Sequence, residues 1–276
     1  MKIVTYNILN DHPSFADLPK KNWANRKTYL LEQVQRLQPD VLAIQEGGTN
    51  QIEDLLEVLP NFDYYGPQAG GIRGGEQVGI FYRQEAIKLL DKGRFWLSQT
   101  PTVCSKDWGA KHYRICTWMQ LKEQITGAVL FHFNTHLDHQ NDDIRAQQLQ
   151  VILEKIEAFK QAHPQAAFVL TGDFNAGAGT SVYQNVVKNS GLKDAFHQAK
   201  RKKKKPSYSF VGMDKAWTWT KLLLHLFYPK YMHKRLDHIF VSPKIEVLYY
   251  EINNWSYGKL YPSDHLPILI EIGRLS

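Results

Sequence analysis

Short runs of β-branched and aromatic residues, each four to seven residues long, recur along most of the chain. Runs of this length and composition, bounded by polar or turn-forming residues, are typical of β-strands. The pattern predicts eight strands, at Ile3–Ile8, Val41–Gln45, Val78–Tyr82, Ile115–Leu121, Val129–Thr135, Phe168–Thr171, His238–Val241 and Leu266–Ile272.

Two longer segments have a different spacing of apolar residues. From Trp23 to Leu37 and from Ile144 to Phe159, apolar side chains recur every three or four positions, which puts them on one face of an α-helix. Each segment ends shortly before a proline, a residue that cannot continue a helix. A third, shorter helix is predicted over Ser181–Asn189.

The order of these elements indicates two similar halves. A strand that ends at Asn7 is followed by a helix and then by a strand that ends at Glu46; later, the elements that end at His136 and Asp173 repeat this order. Many strands and few helices favour an α/β sandwich of two packed mixed β-sheets flanked by helices. No linker rich in Pro, Gly or Ser divides the chain, so we expect residues 1–276 to form a single domain.

Composition excludes several classes of protein. Apolar residues make up 43% of the chain, too many for a disordered protein. The longest apolar stretch, Leu222–Tyr228, is far shorter than the roughly 20 residues of a membrane-spanning helix, and the first residues lack the apolar core of a secretory signal. The two cysteines, Cys104 and Cys116, have neither zinc-site nor disulfide-framework spacing, although a single bridge between them stays compatible with the sequence. We expect a soluble, monomeric, cytoplasmic protein.

The positive charge is concentrated in one place. The formal net charge is +7, and residues 200–205 are six consecutive cations, without which 28 basic residues face 27 acidic ones. One interpretation is a tether for nucleic acid or an anionic membrane. The other is a solvated, mobile loop, since blocks of like charge repel one another. The run alone therefore does not identify a partner.

Polar residues cluster where the predicted strands end. A buried carboxylate is costly unless it is paired, hydrogen-bonded or bound to a metal, so six such clusters are hard to explain as ordinary turns. Oxygen ligands with a few imidazoles suit Mg²⁺ or Mn²⁺ and do not suit structural zinc. The six clusters are Tyr6-Asn7, Gln45-Glu46, Asn134-Thr135-His136, Gly172-Asp173-Phe174-Asn175, Leu236-Asp237-His238 and Ser263-Asp264-His265.

These clusters, in this order, resemble the motifs of the endonuclease/exonuclease/phosphatase superfamily. The resemblance extends from residue 6 to residue 267 and implies a four-layer α/β sandwich with the active site at one end of the two sheets. It also implies a Mg²⁺-dependent hydrolase of phosphate esters. The longer motifs that carry it are Asn134-Thr135-His136-Leu137-Asp138-His139, Thr171-Gly172-Asp173-Phe174-Asn175, Arg235-Leu236-Asp237-His238-Ile239-Phe240-Val241 and Ser263-Asp264-His265-Leu266-Pro267.

The resemblance assigns a metal site. Carried over by position, Glu46 matches the main Mg²⁺ ligand of the family, with Mn²⁺ as an alternative ion. Asn7 and Asp264 match residues at or near that metal, either as direct ligands or through water.

The resemblance also assigns catalytic residues. His265 matches the family's general base or transition-state stabiliser, and Asp237 matches the carboxylate that orients it. Such an Asp–His pair is also expected on chemical grounds, because the carboxylate fixes the imidazole tautomer. Asp173 and Asn175 match residues that position the attacking water and the scissile phosphate. His136 matches a second histidine that contacts the phosphate.

Three further residues are less specific. Arg114 opens a predicted strand, and the resemblance implies that it faces the substrate phosphate. The alternative is a surface arginine that lies over Trp118. His139 and Arg145 flank the His136 motif and are interpreted as structural or supporting residues.

The segment from about residue 200 to residue 234 is an unusual basic and aromatic insertion. Trp217 and Trp219, together with nearby lysines, are suited to stacking on bases or to lying in a lipid headgroup layer. Alternatively, the segment packs its apolar side on the domain. We expect any substrate selectivity to come from this region, because the polar clusters contact only the phosphate common to all candidate substrates.

Together these observations predict a metal-dependent phosphodiesterase or nuclease, with nucleic acid as the first candidate substrate. The alternatives are a phospholipid, as in sphingomyelinases, with peripheral membrane contact, and then an inositol or sugar phosphate. A different class of function is a binding module for nucleic acid or membrane that kept the fold and lost catalysis. A decayed site should have lost at least one of the matched residues, and all of them are present.

Overall fold

The computed structural model describes residues 1–213 and 234–275, whose strands form two sheets. The seven strands of the first sheet are β1 (Lys2–Asn7), β2 (Val41–Gly47), β3 (Phe62–Tyr65), β4 (Gln77–Arg83), β10 (Arg201–Lys202), β12 (Val247–Ile252) and β13 (Ile268–Ile272). They lie in the order β10-β12-β13-β1-β2-β4-β3, with β1 and β2 parallel and β1 and β13 antiparallel. The first sheet is therefore mixed.

The second sheet has six strands. They are β5 (Ile87–Trp96), β6 (Ile115–Glu123), β7 (Val129–His136), β8 (Ala167–Asp173), β9 (Lys193–Asp194) and β11 (Asp237–Val241). Their order is β5-β6-β7-β8-β11-β9, with β7 and β8 parallel and β8 and β11 antiparallel. The register places Asp237, at the start of β11, opposite Asp173, at the end of β8. Strand ends that are far apart in sequence thus meet at one edge.

Five α-helices of the described residues accompany the sheets: α1 (Trp23–Leu37), α2 (Thr49–Val58), α3 (Asp142–Ala162), α4 (Ser181–Asn189) and α5 (Ala195–Gln198). Buried side chains of α1 and α2, such as Leu30 and Leu55, share a core with the outer face of the first sheet. Those of α3 and α4, such as Ile152 and Val186, do the same on the second sheet. A third core lies between the sheets, and the layers therefore follow the predicted four-layer sandwich.

The periodicity predicted most of these elements. All eight predicted strands are present, each within two residues of its predicted bounds, and the three predicted helices are α1, α3 and α4. The prediction omitted α2, α5, β3, β5, β12 and the two short strands β9 and β10. Within the described ranges, no helix is both long and apolar enough to span a membrane.

Four of the six consecutive cations, Lys200 to Lys203, contact other parts of the protein. Part of the run is β10, which pairs with β12 at the outer edge of the first sheet. The ammonium groups of Lys200 and Lys203 form ion pairs with Glu246 and Glu251, and Lys202 donates a hydrogen bond to a backbone carbonyl. The two ion pairs offset part of the repulsion between the cations of the run. The aromatic segment with Trp217 and Trp219 lies outside the described residues.

Candidate active site

The polar strand ends meet at a cleft of about 850 Å³. The parallel pairs β1–β2 and β7–β8 bring their carboxyl ends to the same edge of the sandwich, and the turn before β13 joins them there. Two of the predicted residues, Asn7 and Asp237, lie behind the cleft wall. The other predicted residues line it, namely Glu46, Arg114, His136, Asp173, Asn175, Asp264 and His265.

His265 and Asp237 form a buried pair. The imidazole Nδ1 of His265 lies 2.7 Å from a carboxylate oxygen of Asp237, and its Nε2 lies 3.6 Å from a carboxylate oxygen of Asp173. The hydroxyl of Ser209 accepts a hydrogen bond from the backbone N–H of Asp237 at 3.1 Å and fixes the start of β11. Burial acts to lower the pKa of His265, but the carboxylates of Asp237 and Asp173 raise it well above its ordinary value. The predicted Asp–His pair is therefore formed.

Asn7 connects the two sheets at the floor of the cleft. Its amide nitrogen donates to Glu46 Oε1 at 2.9 Å and to Asp173 Oδ2 at 3.1 Å. Its side-chain oxygen accepts from the backbone N–H of Leu9 at 3.1 Å. Both ends of this buried amide are thus engaged by the protein, and its hydrogen bonds link Glu46 to Asp173.

Glu76 is a site residue that the sequence analysis missed. It directly precedes β4, lines the cleft, and accepts an ion pair from Arg114. Its carboxylate also lies 3.1 Å from Nδ1 of His136. Burial acts to raise the pKa of Glu76, but Arg114 and His136 outweigh burial and lower it to about 2. A carboxylate directly after the glycine-rich stretch at residues 70–75 was the available signal.

His136 and Glu76 form a second histidine–carboxylate pair, similar to that of His265 and Asp237. His136 contacts Glu76 through Nδ1, and its Nε2 lies 3.6 Å from Asp173 Oδ2, so Asp173 faces both His136 and His265. Burial and Arg114 act to lower the pKa of His136, but Glu76 and Asp173 raise it overall. Arg114 is buried and paired with Glu76, so its interpretation as a surface residue over Trp118 is wrong.

Two residues of the cleft have left-handed backbone conformations. Glu46 has φ of 61° and Asn175 has φ of 48°, values that non-glycine residues adopt at an energetic cost. At Glu46, the pairing of β2 with β4 is interrupted by an irregularity between Ile44 and Gly47. Asn175 is held by a hydrogen bond from its backbone N–H to Asp173 at 2.8 Å. Such strain aims both side chains into the cleft.

A group of three residues is suited to a metal ion. Glu46, Glu76 and His136 each offer a ligand atom, and the three atoms lie within 4.8 Å of one another. Two carboxylates and one imidazole fit a divalent cation that prefers oxygen ligands. Of the three predicted ligands, only Glu46 belongs to this group. Asp264 lines the same cleft, and its role and that of Asn7 stay predictions.

A buried polar network lies directly beneath the site. The amide nitrogen of Asn134 on β7 donates to the carbonyl of Ile44 at 2.8 Å and to that of Gly79 at 2.9 Å, both in the other sheet. Its oxygen accepts from Gln45 at 2.7 Å and from Thr171 at 3.2 Å. All four hydrogen-bonding positions of this amide are used. The network fixes the separation of the sheets just below Glu46 and His136.

His139 and Arg145, which flank the His136 motif, differ in position. His139 lines the cleft, and its ring lies 5.6 Å from that of His112. Arg145 is buried in α3, where it donates to the carbonyl of Asp138 at 2.8 Å and pairs with Asp142. Arg145 therefore supports the chain segment that follows His136, whereas His139 is accessible to a ligand.

Comparisons with known proteins agree with this geometry. A protein of the endonuclease/exonuclease/phosphatase family from Bacteroides thetaiotaomicron has a structure with a TM-score of 0.87 to this one; it is 30% identical, over 99% of this chain and 97% of that chain. A mannosyl-6-phosphatase of the same organism gives a TM-score of 0.85 at 30% identity, over 99% of this chain and 100% of its own.

A curated relative is more distant. The 3'-5'-exoribonuclease subunit Ccr4 of the CCR4-Not complex from Mycosarcoma maydis is 23% identical over 66% of this chain. The chain spans 34% of the length of that relative. The sequence model of the Endonuclease/Exonuclease/phosphatase family, in contrast, matches residues 4–265, nearly the whole chain. This protein therefore belongs to the endonuclease/exonuclease/phosphatase family.

Proposed function

We propose that this protein is a divalent-metal-dependent hydrolase of phosphate esters. Its family consists of phosphoesterases that depend on divalent metals. The observation that carries the proposal is the arrangement in one cleft of a three-residue donor group and a buried Asp–His pair. The donor group would hold a cation that neutralises phosphate charge, and the Asp–His pair would accept and release a proton. Ester hydrolysis needs both functions.

In this proposal, Glu46, Glu76 and His136 would hold Mg²⁺ or Mn²⁺, with Asp264 and Asn7 close to it. When bound, the cation supplies positive charge to a phosphoryl oxygen. Asn175 and Arg114 line the same cleft, where an amide and a guanidinium are suited to orienting the remaining phosphate oxygens.

His265 is the proposed proton acceptor. Because Asp237 accepts the Nδ1 proton, the neutral form of His265, which is the form that acts as a base, has its lone pair on Nε2, the nitrogen that faces the cleft. A water molecule placed between His265 and Asp173 would lose a proton to Nε2 as its oxygen bonds to phosphorus. The P–O bond to the alcohol breaks in the same reaction, and the departing oxygen takes up a proton from solvent or from the imidazolium. The carboxylates around His265 favour its cationic form, which suits the state that follows this transfer.

The first candidate substrate is a small phosphate ester, such as a sugar phosphate. The cleft volume is within the range of small-molecule sites. None of the six cations of the 200–205 run lines the described part of the cleft, so the run gives little support to a polyanionic substrate. The mannosyl-6-phosphatase, which matches over its full length, favours the same class.

A nucleic-acid phosphodiester is the second candidate. Three aromatic side chains, Phe15, Tyr113 and Phe210, line the cleft, and aromatic rings can stack on bases. The exoribonuclease subunit among the relatives favours this class as well. The described residues offer no comparable observation for a phospholipid substrate.

The test is a panel of purified-protein assays. Sugar phosphates, RNA and DNA oligonucleotides, sphingomyelin and a chromogenic phosphodiester are assayed with Mg²⁺, with Mn²⁺ and with EDTA. We expect turnover of at least one ester that EDTA abolishes. Glu46→Gln and His265→Ala should each reduce kcat by about 10²–10³-fold, the usual effect of losing charge stabilisation or a positioned base.

Lys88→Gln is a matched control for these variants. Lys88 is an exposed residue of β5, outside the cleft, and its replacement should leave kcat within about twofold because surface substitutions of this kind are nearly neutral. Turnover that resists EDTA, or a Glu46→Gln variant as active as the control, would contradict the proposed mechanism. Absence of turnover across the whole panel would favour the binding-module alternative.

A further inference from the structure

Two loops form one side of the cleft and are joined into a single unit. The first comprises residues 66–76 and the second residues 97–114. The ion pair between Glu76 and Arg114 connects their ends. Farther out, the thiol of Cys104 donates to the carbonyl of Gly70 at 3.2 Å. These contacts fix the two loops relative to each other.

Each loop presents one exposed cation to the cleft. Arg73 precedes Glu76 by three residues, Lys111 precedes Arg114 by three residues, and both line the cleft. The guanidinium of Arg73 lies over the ring of Tyr113, with its central carbon 5.9 Å from the ring centroid. Among the described residues, neither Arg73 nor Lys111 has a carboxylate within ion-pair distance. Their charges are therefore available to a ligand.

The wall beside Arg73 consists of backbone. Gly74 and Gly75 line the cleft with φ of 80° and 110°, conformations that favour glycine. A Cβ atom added to Gly74 would meet nothing within 4 Å, so the space in front of this residue is open. A ligand can therefore approach the main chain closely next to the Arg73 guanidinium.

The charges of the cleft are divided between two regions. Glu46, Asp173 and Asp264 line the region proposed to hold the metal and the reacting phosphate, and the Glu76–Arg114 ion pair belongs to the same region. Farther along each loop, three residues before that ion pair, the charges of Arg73 and Lys111 remain. A concave surface with an excess of one sign raises the local concentration of the opposite charge.

We propose that Arg73 and Lys111 form a second anion-binding subsite. The substrate is then a phosphate ester that carries a further phosphate or carboxylate, which this subsite holds while the ester is cut at the other end of the cleft. The inference rests on the proposed function and narrows its substrate class.

The experiment compares matched substrate pairs that differ by one anion. The pairs are glucose 6-phosphate with glucose 1,6-bisphosphate, and adenosine 3'-monophosphate with adenosine 3',5'-bisphosphate. For the class that is turned over, we expect kcat/KM to be at least about tenfold higher for the bisphosphate, because a charge-assisted hydrogen bond contributes about that factor.

Variants assign this preference to the two cations. Arg73→Gln and Lys111→Gln should each lower the ratio of kcat/KM for the bisphosphate to kcat/KM for the monophosphate by about tenfold. The loss should appear mainly as a higher KM for the bisphosphate, since the contact exists in the bound substrate as well as in the transition state. Lys88→Gln is the control, and it should keep the wild-type ratio. Equal losses on both members of a pair, or a wild-type ratio near one, would overturn the subsite.

A binding measurement separates this inference from the proposed function. Calorimetry with the full-length His265→Ala variant compares the Kd of glucose 1,6-bisphosphate with that of glucose 6-phosphate, with and without the Arg73→Gln change. Tighter bisphosphate binding that needs Arg73 supports the subsite even if no substrate is turned over. Equal affinities overturn it, whereas EDTA-sensitive turnover would leave the proposed function standing.

Discussion

Glu76 completes the site although it belongs to none of the six polar clusters that the sequence places at strand ends. His265 and His136 each have a carboxylate on Nδ1, Asp237 for His265 and Glu76 for His136, and both direct Nε2 toward Asp173. Only the first of these pairs followed from a motif. The second depends on Arg114, which lies directly before β6. Arg114 and His136 together lower the pKa of Glu76.

His132 is a buried residue with a consequence for stability. It is fully buried on β7, its Nε2 lies 2.9 Å from the hydroxyl of Thr171, and burial lowers its pKa from 6.5 to about 3. The folded protein therefore resists protonation of His132, whereas the unfolded chain binds this proton as the pH falls below about 6.5. The contribution of His132 to stability is complete above that pH and is lost progressively toward pH 3.

We predict that His132→Gln flattens the pH dependence of unfolding. Between pH 6 and pH 4, the free energy of unfolding of the wild type should include a decline of about 1.4 kcal/mol per pH unit from this one histidine. Glutamine cannot titrate, so the variant should lack that component. Urea unfolding at pH 7, 5.5 and 4.5 measures it, and equal slopes for the two proteins would contradict the assignment.

At the level of elements, Asn134 is the clearest link between the two sheets. It lies on β7 and uses its side-chain N–H groups on two carbonyls of the other sheet. Replacing it with leucine would leave the carbonyls of Ile44 and Gly79 buried without these partners. Because each such group costs about 1–3 kcal/mol, we predict that Asn134→Leu lowers the free energy of unfolding by at least about 2 kcal/mol.

The same change should affect the reaction. Glu46 follows Ile44 by two residues and His136 follows Asn134 by two, so loss of the link allows the donor group to shift, and we expect kcat to fall with the stability. Asn61→Leu is the control: Asn61 is exposed, and its replacement should change stability by less than about 0.5 kcal/mol. A fully stable Asn134→Leu protein would show that the link is dispensable.

A helix or strand could be predicted from the sequence when one continuous segment contained both its apolar pattern and its ends. The helix α1 has its apolar face and its end before Pro39 within one stretch, and β7 is a continuous β-rich run. In contrast, β5 is an exposed edge strand with charged residues at Lys88, Asp91 and Lys92, and its pairing with β6 gives it order. The helix α2 begins after Gly48, whose backbone N–H donates to the side chain of Gln51 at 2.8 Å, a start that lacks the usual polar N-cap residue.

The residues of the site also fall into a group that the sequence predicted and a group that it did not. The motif residues from Asn7 to His265 were predictable because their chemistry is unusual for strand ends, and the structure brings them together. Glu76, Arg73 and Lys111 lie in glycine-rich or irregular loops, where local sequence does not determine which side chains face each other. Their positions follow from the tertiary contact of two loops, which no local pattern contains.

For the molecule as a whole, the distribution of charge bears on which substrates it attracts. Four cations of the 200–205 run, from Lys200 to Lys203, make contacts with the protein itself, two of them with Glu246 and Glu251. Charged residues on a sheet edge also oppose pairing with another chain. This part of the run is therefore explained by the edge strand β10 without a polyanionic partner.

Lys204 and Lys205 provide the remaining test, because both are exposed at the end of the run. Neither residue lines the described part of the cleft, so their charges should not affect a small ester bound there. We predict that the Lys204→Gln/Lys205→Gln double variant keeps the wild-type KM for such a substrate within about twofold, as for ordinary surface changes. The same variant is assayed on a dinucleotide and on a 20-residue single strand over a range of salt concentrations. If the two lysines bind a polynucleotide, the wild type should have a lower KM for the long strand than for the dinucleotide. Losing two phosphate contacts should then reduce the slope of log affinity against log salt concentration by roughly 1.4. That result would establish nucleic acid as the substrate class and the run as part of its binding surface; an unchanged slope would leave binding to the cleft alone.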